Sequence, residues 1–105
     1  MKKIRLVCCA GMSTSMIVRK MEEEIRKQDL DVEVSATSVN AALDEATAGK
    51  FDADVVLVGP QMRFALKNIQ EKVGDIPVKD IDMRMYGLMD AKGILQMGLD
   101  LMEEK

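Results

Sequence analysis

The feature that most constrains the fold is a short, almost uninterrupted apolar run near the middle of the chain. Residues 53–58 read Ala-Asp-Val-Val-Leu-Val, and the turn residues Gly59-Pro60-Gln61 follow directly. A run of this length before turn residues is typical of a strand covered on both faces, as the central strands of parallel sheets are. We therefore expect a parallel sheet with a helical layer on each side.

Segments typical of strands and of helices alternate along the rest of the 105 residues. Further strands are predicted at residues 4–8, at 32–36, which alternates like an edge strand, and at 77–82. Helical spacing predicts four helices. The first helix starts at the hydroxyls of residues 13–15 and has Ile17, Met21 and Ile25 on one face, and the second is capped by Asn40 and ends at Gly49. The third follows Pro60 and ends at Gly74, and its apolar residues are Phe64, Leu66, Ile69 and Val73. The fourth covers about residues 90–104, where Gly93 and Gly98 allow close packing.

Four strand–helix units in series predict a single α/β domain over residues 1–105, with right-handed crossovers and helices on both faces of a parallel sheet. In such folds the functional crevice lies beyond the carboxyl ends of the strands. This position is expected for residues 8–15, Thr37-Ser38, Gly59-Pro60-Gln61 and 82–87. Asp52 and Asp54 fall at the amino end of a strand, where we expect a boundary and not a catalytic pair.

The composition excludes several classes of function. The chain has no His, which rules out Ser-His-Asp and Cys-His catalytic couples. Its two adjacent Cys cannot alone hold a metal, so no metal or cofactor is expected. Lys and Arg number 15 against 18 Asp and Glu, a net charge of −3 that disfavours nucleic-acid binding. With no apolar run of membrane-spanning length and no signal-peptide pattern, we expect a cytosolic protein.

The segment from Cys8 to Ser15 has the most specific chemistry in the sequence: it reads Cys8-Cys9-Ala10-Gly11-Met12-Ser13-Thr14-Ser15. A thiol at a strand end is followed by small residues, hydroxyls and the start of a helix. Backbone N–H groups in such a loop can form an anion-binding nest, and the helix dipole adds positive potential that favours the thiolate. We predict Cys8 as the nucleophile, with residues 9–15 cradling a phosphoryl group or another tetrahedral oxyanion, and Cys9 as a packing residue.

Three alternatives stay open for this loop. Low-molecular-weight tyrosine phosphatases and arsenate reductases place an Arg six residues after the Cys, where this chain has Thr14, or Ser15 counted from Cys9. Without that guanidinium a phosphate dianion is bound more weakly, which disfavours hydrolysis. The fold could also serve an interaction module that senses phosphate, and a strand-end Cys can be only a small buried apolar residue.

The loop resembles that of the IIB components of bacterial phosphoenolpyruvate-dependent sugar phosphotransferase systems, of the lactose/cellobiose/chitobiose type. Gly59-Pro60-Gln61 and Tyr86-Gly87 extend the resemblance, which covers essentially the whole chain. It implies a flavodoxin-like or low-molecular-weight-phosphatase-like sheet in the order 2-1-3-4. In one departure, Cys9 stands where Ser or Ala is more usual.

The resemblance also implies a phosphoryl carrier. Cys8 would accept phosphate from a phosphohistidine of the enzyme IIA component and pass it to a sugar, such as cellobiose, chitobiose or lactose, bound by the membrane component IIC. Gly59, Pro60, Gln61 and Tyr86 would flank the site. Partner contacts are expected at Met12 and Met16, and Arg84 is a candidate for docking. The protein would be cytoplasmic and visit the membrane only through IIC.

Overall fold

Strands and helices alternate in the computed structural model, which describes residues 2–7, 12–49 and 51–104, apart from the side chains of 12–14 and 104. The elements, in chain order, are β1 Lys2–Val7, α1 Met12–Lys27, β2 Val32–Thr37, α2 Val39–Thr47, β3 Val55–Val58, a 3₁₀ helix Pro60–Ala65, α3 Leu66–Val73, β4 Val78–Asp80, α4 Met83–Gly87 and α5 Ala91–Glu104.

The four strands form one parallel sheet in the order β2-β1-β3-β4, which confirms the topology that the resemblance implied. The last residues of the strands lie in one row. Val7 is opposite both Thr37 of β2 and Val58 of β3, and Val58 is opposite Asp80 of β4. All four connections that leave the carboxyl ends therefore start at the same edge of the sheet.

The apolar run of β3 is buried on both faces, as its sequence predicts. Val55 and Leu57 belong to one core cluster, which lies under α1 and α5, whereas Val56 and Val58 belong to a second cluster under α2 and α3. Successive side chains of a strand point to opposite faces, so four residues can serve both cores.

Helix α1 packs through the apolar face that its spacing predicts. Ile17, Met21 and Ile25 are all buried in the first cluster. On the opposite face Glu22 and Glu23 are exposed, as expected for a solvated helix surface. In the last turn Lys27 forms an ion pair with Glu24, with 3.9 Å between Lys27 Nζ and Glu24 Oε1.

Two glycines end helices in the left-handed backbone region, as predicted for both. Gly49 follows α2 with φ = 73°, and Gly74 follows α3 with φ = 71°. A residue with a Cβ is strained in this conformation, whereas glycine adopts it freely. Both helices therefore stop at the residues that the sequence indicates.

Three sequence expectations are wrong in detail. Ser38, and not Asn40, caps α2, because its hydroxyl accepts a hydrogen bond from the backbone N–H of Ala41 at 3.1 Å. Phe64 lies in the 3₁₀ helix with its ring exposed, because the chain makes this extra turn before α3 begins. Strand β4 has only three residues, and the segment after it forms the unpredicted helix α4.

Candidate functional site

The candidate site is the row of connections at the carboxyl edge of the sheet. Residues 8–11, which include Cys8, Cys9, Ala10 and Gly11, lie outside the described residues, so the roles predicted for them stay predictions. Their two flanks are described. Val7 is the buried end of β1, next to the centre of the sheet, and Met12 is the first residue of the 16-residue helix α1.

Helix α1 begins with the backbone of Met12, Ser13 and Thr14, and its first turn contains no acidic residue. The first N–H groups of a helix have no partner within it and carry partial positive charge, and this favours an anion nearby. Ser15 is exposed in the same turn. The described backbone thus places a strand end before residues 8–11 and a helix start after them, the two flanks that an anion-binding loop requires, with the predicted hydroxyl residues in the first turn of the helix.

Gly59 and Pro60 lie beside the exit of β1. The buried Gly59 donates its N–H to the carbonyl oxygen of Val7 at 2.8 Å, and this bond adds a rung to the ladder between β1 and β3. Its own carbonyl accepts the N–H of Met62, also at 2.8 Å, and Pro60 opens the 3₁₀ helix. Proline suits this first position because its missing N–H would have no helical partner there. The Val7 carbonyl, at the end of β1, is therefore held by the N–H of Gly59.

Gln61 and Tyr86, the other two predicted flanking residues, have different surroundings. Gln61 is exposed in the first turn of the 3₁₀ helix. Tyr86 belongs to α4, which follows β4, and it packs half-buried against the first core cluster. Because β3 lies between β4 and β1, Tyr86 starts from a connection two strands away from that of Cys8.

Helix α4 is held at the same edge by an aspartate cap. The backbone N–H of Ile81 donates to the carbonyl of Val58 at 2.7 Å, which ties the β4 exit to β3. The Asp82 carboxylate then accepts the N–H groups of Arg84, at 2.8 Å, and Met85, at 3.3 Å. A carboxylate at this position also interacts favourably with the positive end of the helix.

Sequence reasoning missed an exposed apolar surface at this edge. The side chains of Phe64, in the 3₁₀ helix, and Met83, at the start of α4, are both exposed. An ion pair joins the 3₁₀ helix to the end of β4, with 3.2 Å between Arg63 Nε and Asp80 Oδ2. The spacing of Phe64 resembles that of a core position, and only the extra 3₁₀ turn moves it outward.

The opposite edge of the sheet carries the charged residues that could be mistaken for a catalytic pair. The backbone N–H of Lys3 donates to Asp54 Oδ2 at 2.7 Å, and its ammonium group forms an ion pair with Asp52. The hydrogen bond and the charge of Lys3 lower the pKa of Asp52, and the same two effects of Asp52 raise the pKa of Lys3. Both aspartates therefore bind β1 at the start of β3, as the strand-boundary interpretation predicts.

Neighbouring Arg5 has a structural explanation as well. Its guanidinium bonds Glu45 of α2, with 2.9 Å between Arg5 Nη1 and Glu45 Oε2, and lies 5.2 Å from the centre of the Phe51 ring. Over the residues described, no three acidic or cysteine side chains are grouped to hold a metal ion. In the same part of the chain, no helix has the length and apolar character needed to cross a membrane.

The fold and this edge define a class of protein: a single parallel sheet in which one of the two central strands is followed by a cysteine-containing segment and then by the N-terminus of a helix. The family model "PTS system, Lactose/Cellobiose specific IIB subunit" matches residues 3–97. The chain belongs to this family. EIIB components of this system act as phosphotransferases and work with its other components.

The relatives are similar over nearly their whole length. The oligo-beta-mannoside-specific EIIB component of Bacillus subtilis is 38% identical over 104 residues, covering 97% of each chain. The galactose-specific EIIB component of Lactococcus lactis subsp. cremoris is 36% identical over 105 residues, covering 96% of each. The cellobiose-specific EIIB component of Lactococcus lactis subsp. lactis has the same identity and coverage.

Two solved structures have the same fold. The cellobiose-specific IIB component of Borrelia burgdorferi superposes with a TM-score of 0.78 at 33% identity, over 99% of this chain and 94% of that one. The lactose-specific IIB domain of Streptococcus pneumoniae superposes with a TM-score of 0.74 over 94% and 95% of the two chains. At 17% identity the second comparison shows the fold alone.

Proposed function

We propose that this chain is a single-domain phosphoryl carrier of a sugar phosphotransferase system. Cys8 accepts the phosphoryl group from a phosphohistidine of a IIA protein and transfers it to a sugar bound by the membrane protein IIC. In the usual classification this is a protein-phosphohistidine–sugar phosphotransferase. It works in the cytoplasm and meets the membrane only when it meets IIC.

The observation that carries the proposal is the position of the two elements that flank the Cys8 segment, β1 before it and α1 after it. The segment follows the central strand at its carboxyl end, where Gly59 bonds the Val7 carbonyl, and it precedes the N-terminus of α1. Strand ends and helix N-termini at such an edge are where parallel α/β proteins bind phosphate. Family membership across residues 3–97 supports the same role.

The proposed transfer is an in-line displacement at phosphorus. The Cys8 thiolate attacks, the new S–P bond forms, and the P–N bond to the donor imidazole breaks; the imidazole keeps the electron pair and takes up a proton. Backbone N–H groups of the loop and the hydroxyls of Ser13–Ser15 stabilise the charge on the three equatorial oxygens. The second transfer repeats this geometry: a sugar hydroxyl attacks and gives up its proton, the O–P bond forms, and the S–P bond breaks so that Cys8 leaves as the thiolate.

The absence of His explains why the chain needs a partner for the first step. A carrier without imidazole cannot hold the phosphohistidine itself, so the donor group belongs to another protein. Thr14 stands where cysteine phosphatases have their phosphate-binding Arg, which favours transfer over hydrolysis. A phosphatase and a non-enzymatic sensor are the two alternatives that the experiment below separates.

The sugar is proposed only as a class. The relatives are named for oligo-beta-mannosides, galactose and cellobiose, although all three share about the same identity with this chain. Carriers of such similar sequence can serve different sugars if another component binds and selects the sugar. We therefore propose a β-glucoside or related disaccharide, selected by IIC and not by this domain.

Labelling from radioactive phosphoenolpyruvate tests the proposal. The purified chain is mixed with the general phosphotransferase proteins and a IIA protein of the lactose/cellobiose type. We expect one phosphoryl group per chain, located on Cys8 by mass spectrometry, none in Cys8→Ser, and retained labelling in the matched variant Cys9→Ser. Equal labelling of Cys8→Ser would contradict the role of Cys8. Steady hydrolysis of an aryl phosphate by the chain alone would support the phosphatase, and phosphate-dependent binding that survives in Cys8→Ser would support the sensor.

A further inference from the structure

The two outer strands of the sheet differ in how they are protected from pairing with another strand. Strand β4 has only three residues and carries Lys79, and short strands and lysines are common protection for a sheet edge. Strand β2 has six residues, contains neither Lys nor Pro, and has Glu33 as its one charged residue. The β2 edge is therefore the one at which the sheet can be extended.

The hydrogen bonds between β1 and β2 decide which residues of β2 direct their backbone groups outward. The N–H of Lys2, which lies opposite Val32, donates to the carbonyl of Asp31 at 3.2 Å. In a parallel ladder every second residue bonds the neighbouring strand, so the odd-numbered residues of β2 turn toward β1. The even-numbered residues, Val32, Val34 and Ala36, direct their N–H and C=O groups to the outer edge, where no further strand of the described chain pairs.

A hollow of about 270 Å³ lies between α1 and this edge. It is lined by Glu22, Ile25 and Arg26 of α1 and by the first residues of β2, Val34 among them. Glu22 and Arg26 are exposed, and over the residues described neither forms an ion pair. One carboxylate and one guanidinium group therefore border the β2 edge with their charges available to another molecule.

We propose that β2 pairs antiparallel with β2 of a second copy of this chain, about a two-fold axis at Val34, so that the two sheets become one. This axis places Val34 opposite Val34 of the second copy and Val32 opposite Ala36, so each outward N–H meets an outward carbonyl. Glu33 then lies opposite Ser35. An axis at Glu33 would instead place two carboxylates opposite each other, which is unfavourable.

The charges beside the edge select a second copy as the occupant. Glu22 and Arg26 line the same hollow as Val34, so both lie near the proposed axis. The axis reverses the α1 helix of the second copy, and Glu22 of each chain then approaches Arg26 of the other. These two pairs offset the repulsion between chains that each carry a net charge of −3. The contact is small, so we expect a dissociation constant on the order of 100 µM.

Sedimentation velocity at protein concentrations on both sides of that constant tests the proposal. We expect the wild-type chain to pass from monomer to dimer as its concentration rises. Ala36→Pro removes an outward N–H at an exposed position, where an edge strand tolerates proline, and should remain monomeric. Ala36→Thr is the matched control, because it retains the N–H and suits a strand, and it should still form the dimer. Circular dichroism checks that both variants are folded.

A charge exchange on the exposed face of α1 tests the arrangement even if Ala36→Pro lowers stability. Arg26→Glu places like charges opposite each other and should raise the dissociation constant about tenfold, and adding Glu22→Arg should restore it. A wild type that stays monomeric at every concentration would overturn the proposal. So would equal dimerisation of Ala36→Pro and Ala36→Thr, which would assign the contact to another surface, or an exchange that restores nothing.

Discussion

The contact between α5 and the sheet at Gly98 offers a quantitative test of the core. Gly98 is buried, and a Cβ atom there would lie 3.1 Å from Cδ1 of Ile4 and 3.6 Å from Cδ1 of Leu57. The second distance is an ordinary van der Waals contact, but the first is too short. Ile4 is a buried residue of β1, the strand between β2 and β3, so its Cδ1 has little room to move.

Replacing Gly98 by Ala therefore has two opposing effects on the free energy of unfolding. Ala is favoured over Gly within a helix by about 1 kcal/mol. Overpacking a close-packed core costs about 1–3 kcal/mol. We expect the overpacking to prevail and Gly98→Ala to destabilise the protein by about 1 kcal/mol. Gly87→Ala is the control, because a Cβ at Gly87 meets nothing within 4 Å, and it should be neutral or slightly stabilising.

Shortening Ile4 reverses the sign of the effect. Ile4→Val removes the Cδ1 atom and by itself costs about 1 kcal/mol. In this background the added methyl group has space, so Gly98→Ala should stabilise the protein by about 1 kcal/mol. The double-mutant cycle then gives a coupling of about 2 kcal/mol between the two positions, as expected for residues in direct contact.

Urea unfolding followed by circular dichroism measures all four variants, from transition midpoints at a common m value. The Gly98→Ala midpoint should fall in the wild-type background and rise in the Ile4→Val background. The packing argument is refuted if Gly98→Ala stabilises the wild type as Gly87→Ala does, or if the two changes are additive.

Two further predictions concern the two edges of the sheet. At the carboxyl edge, Asp82→Ala removes the cap of α4 and should lower the free energy of unfolding by about 1 kcal/mol in urea unfolding. Asp82→Asn should retain most of the stability, because an amide oxygen can still accept the two N–H groups. Equal losses in the two variants would contradict the capping role. At the amino edge, the pKa of Asp52 is lowered by Lys3, so their interaction stabilises the fold above the ordinary carboxyl range and this contribution is lost as pH falls through the lowered pKa. Carbon NMR titration should show the Asp52 pKa rising toward its ordinary value in Lys3→Met, and an unmoved titration would rule out the ion pair in solution.

Much of the fold follows from local pattern. The apolar run of β3, the spacing of Ile17, Met21 and Ile25, and the glycines that end α2 and α3 all act within a few residues, so their effect is readable along the chain. The candidate site is predictable in the same way only in outline. A sequence indicates which residues follow a strand, but the alignment of four strand ends depends on how the strands pair.

The misjudged residues show where local pattern stops being sufficient. Ser38 and Asn40 are both good helix caps, and the choice between them depends on where β2 leaves its pairing with β1. Phe64 has the spacing of a core residue, but the Gly59 bond to Val7 and the 3₁₀ turn after it rotate its side chain outward. Helix α4 is too short for a periodic signal, and the Asp82 cap and core contacts hold it.

By itself, the sequence determined the alternation of strands and helices, the parallel sheet with two covered faces, and the loop chemistry that predicts Cys8 as the reactive residue. Backbone preference and apolar spacing act over short distances, so no tertiary information was needed for these. Only the tertiary structure decided the register that aligns the four strand ends and the exposure of Phe64 and Met83 at that edge of the sheet. The physical reason is that exposure depends on what packs from distant parts of the chain, and a single segment does not carry that information.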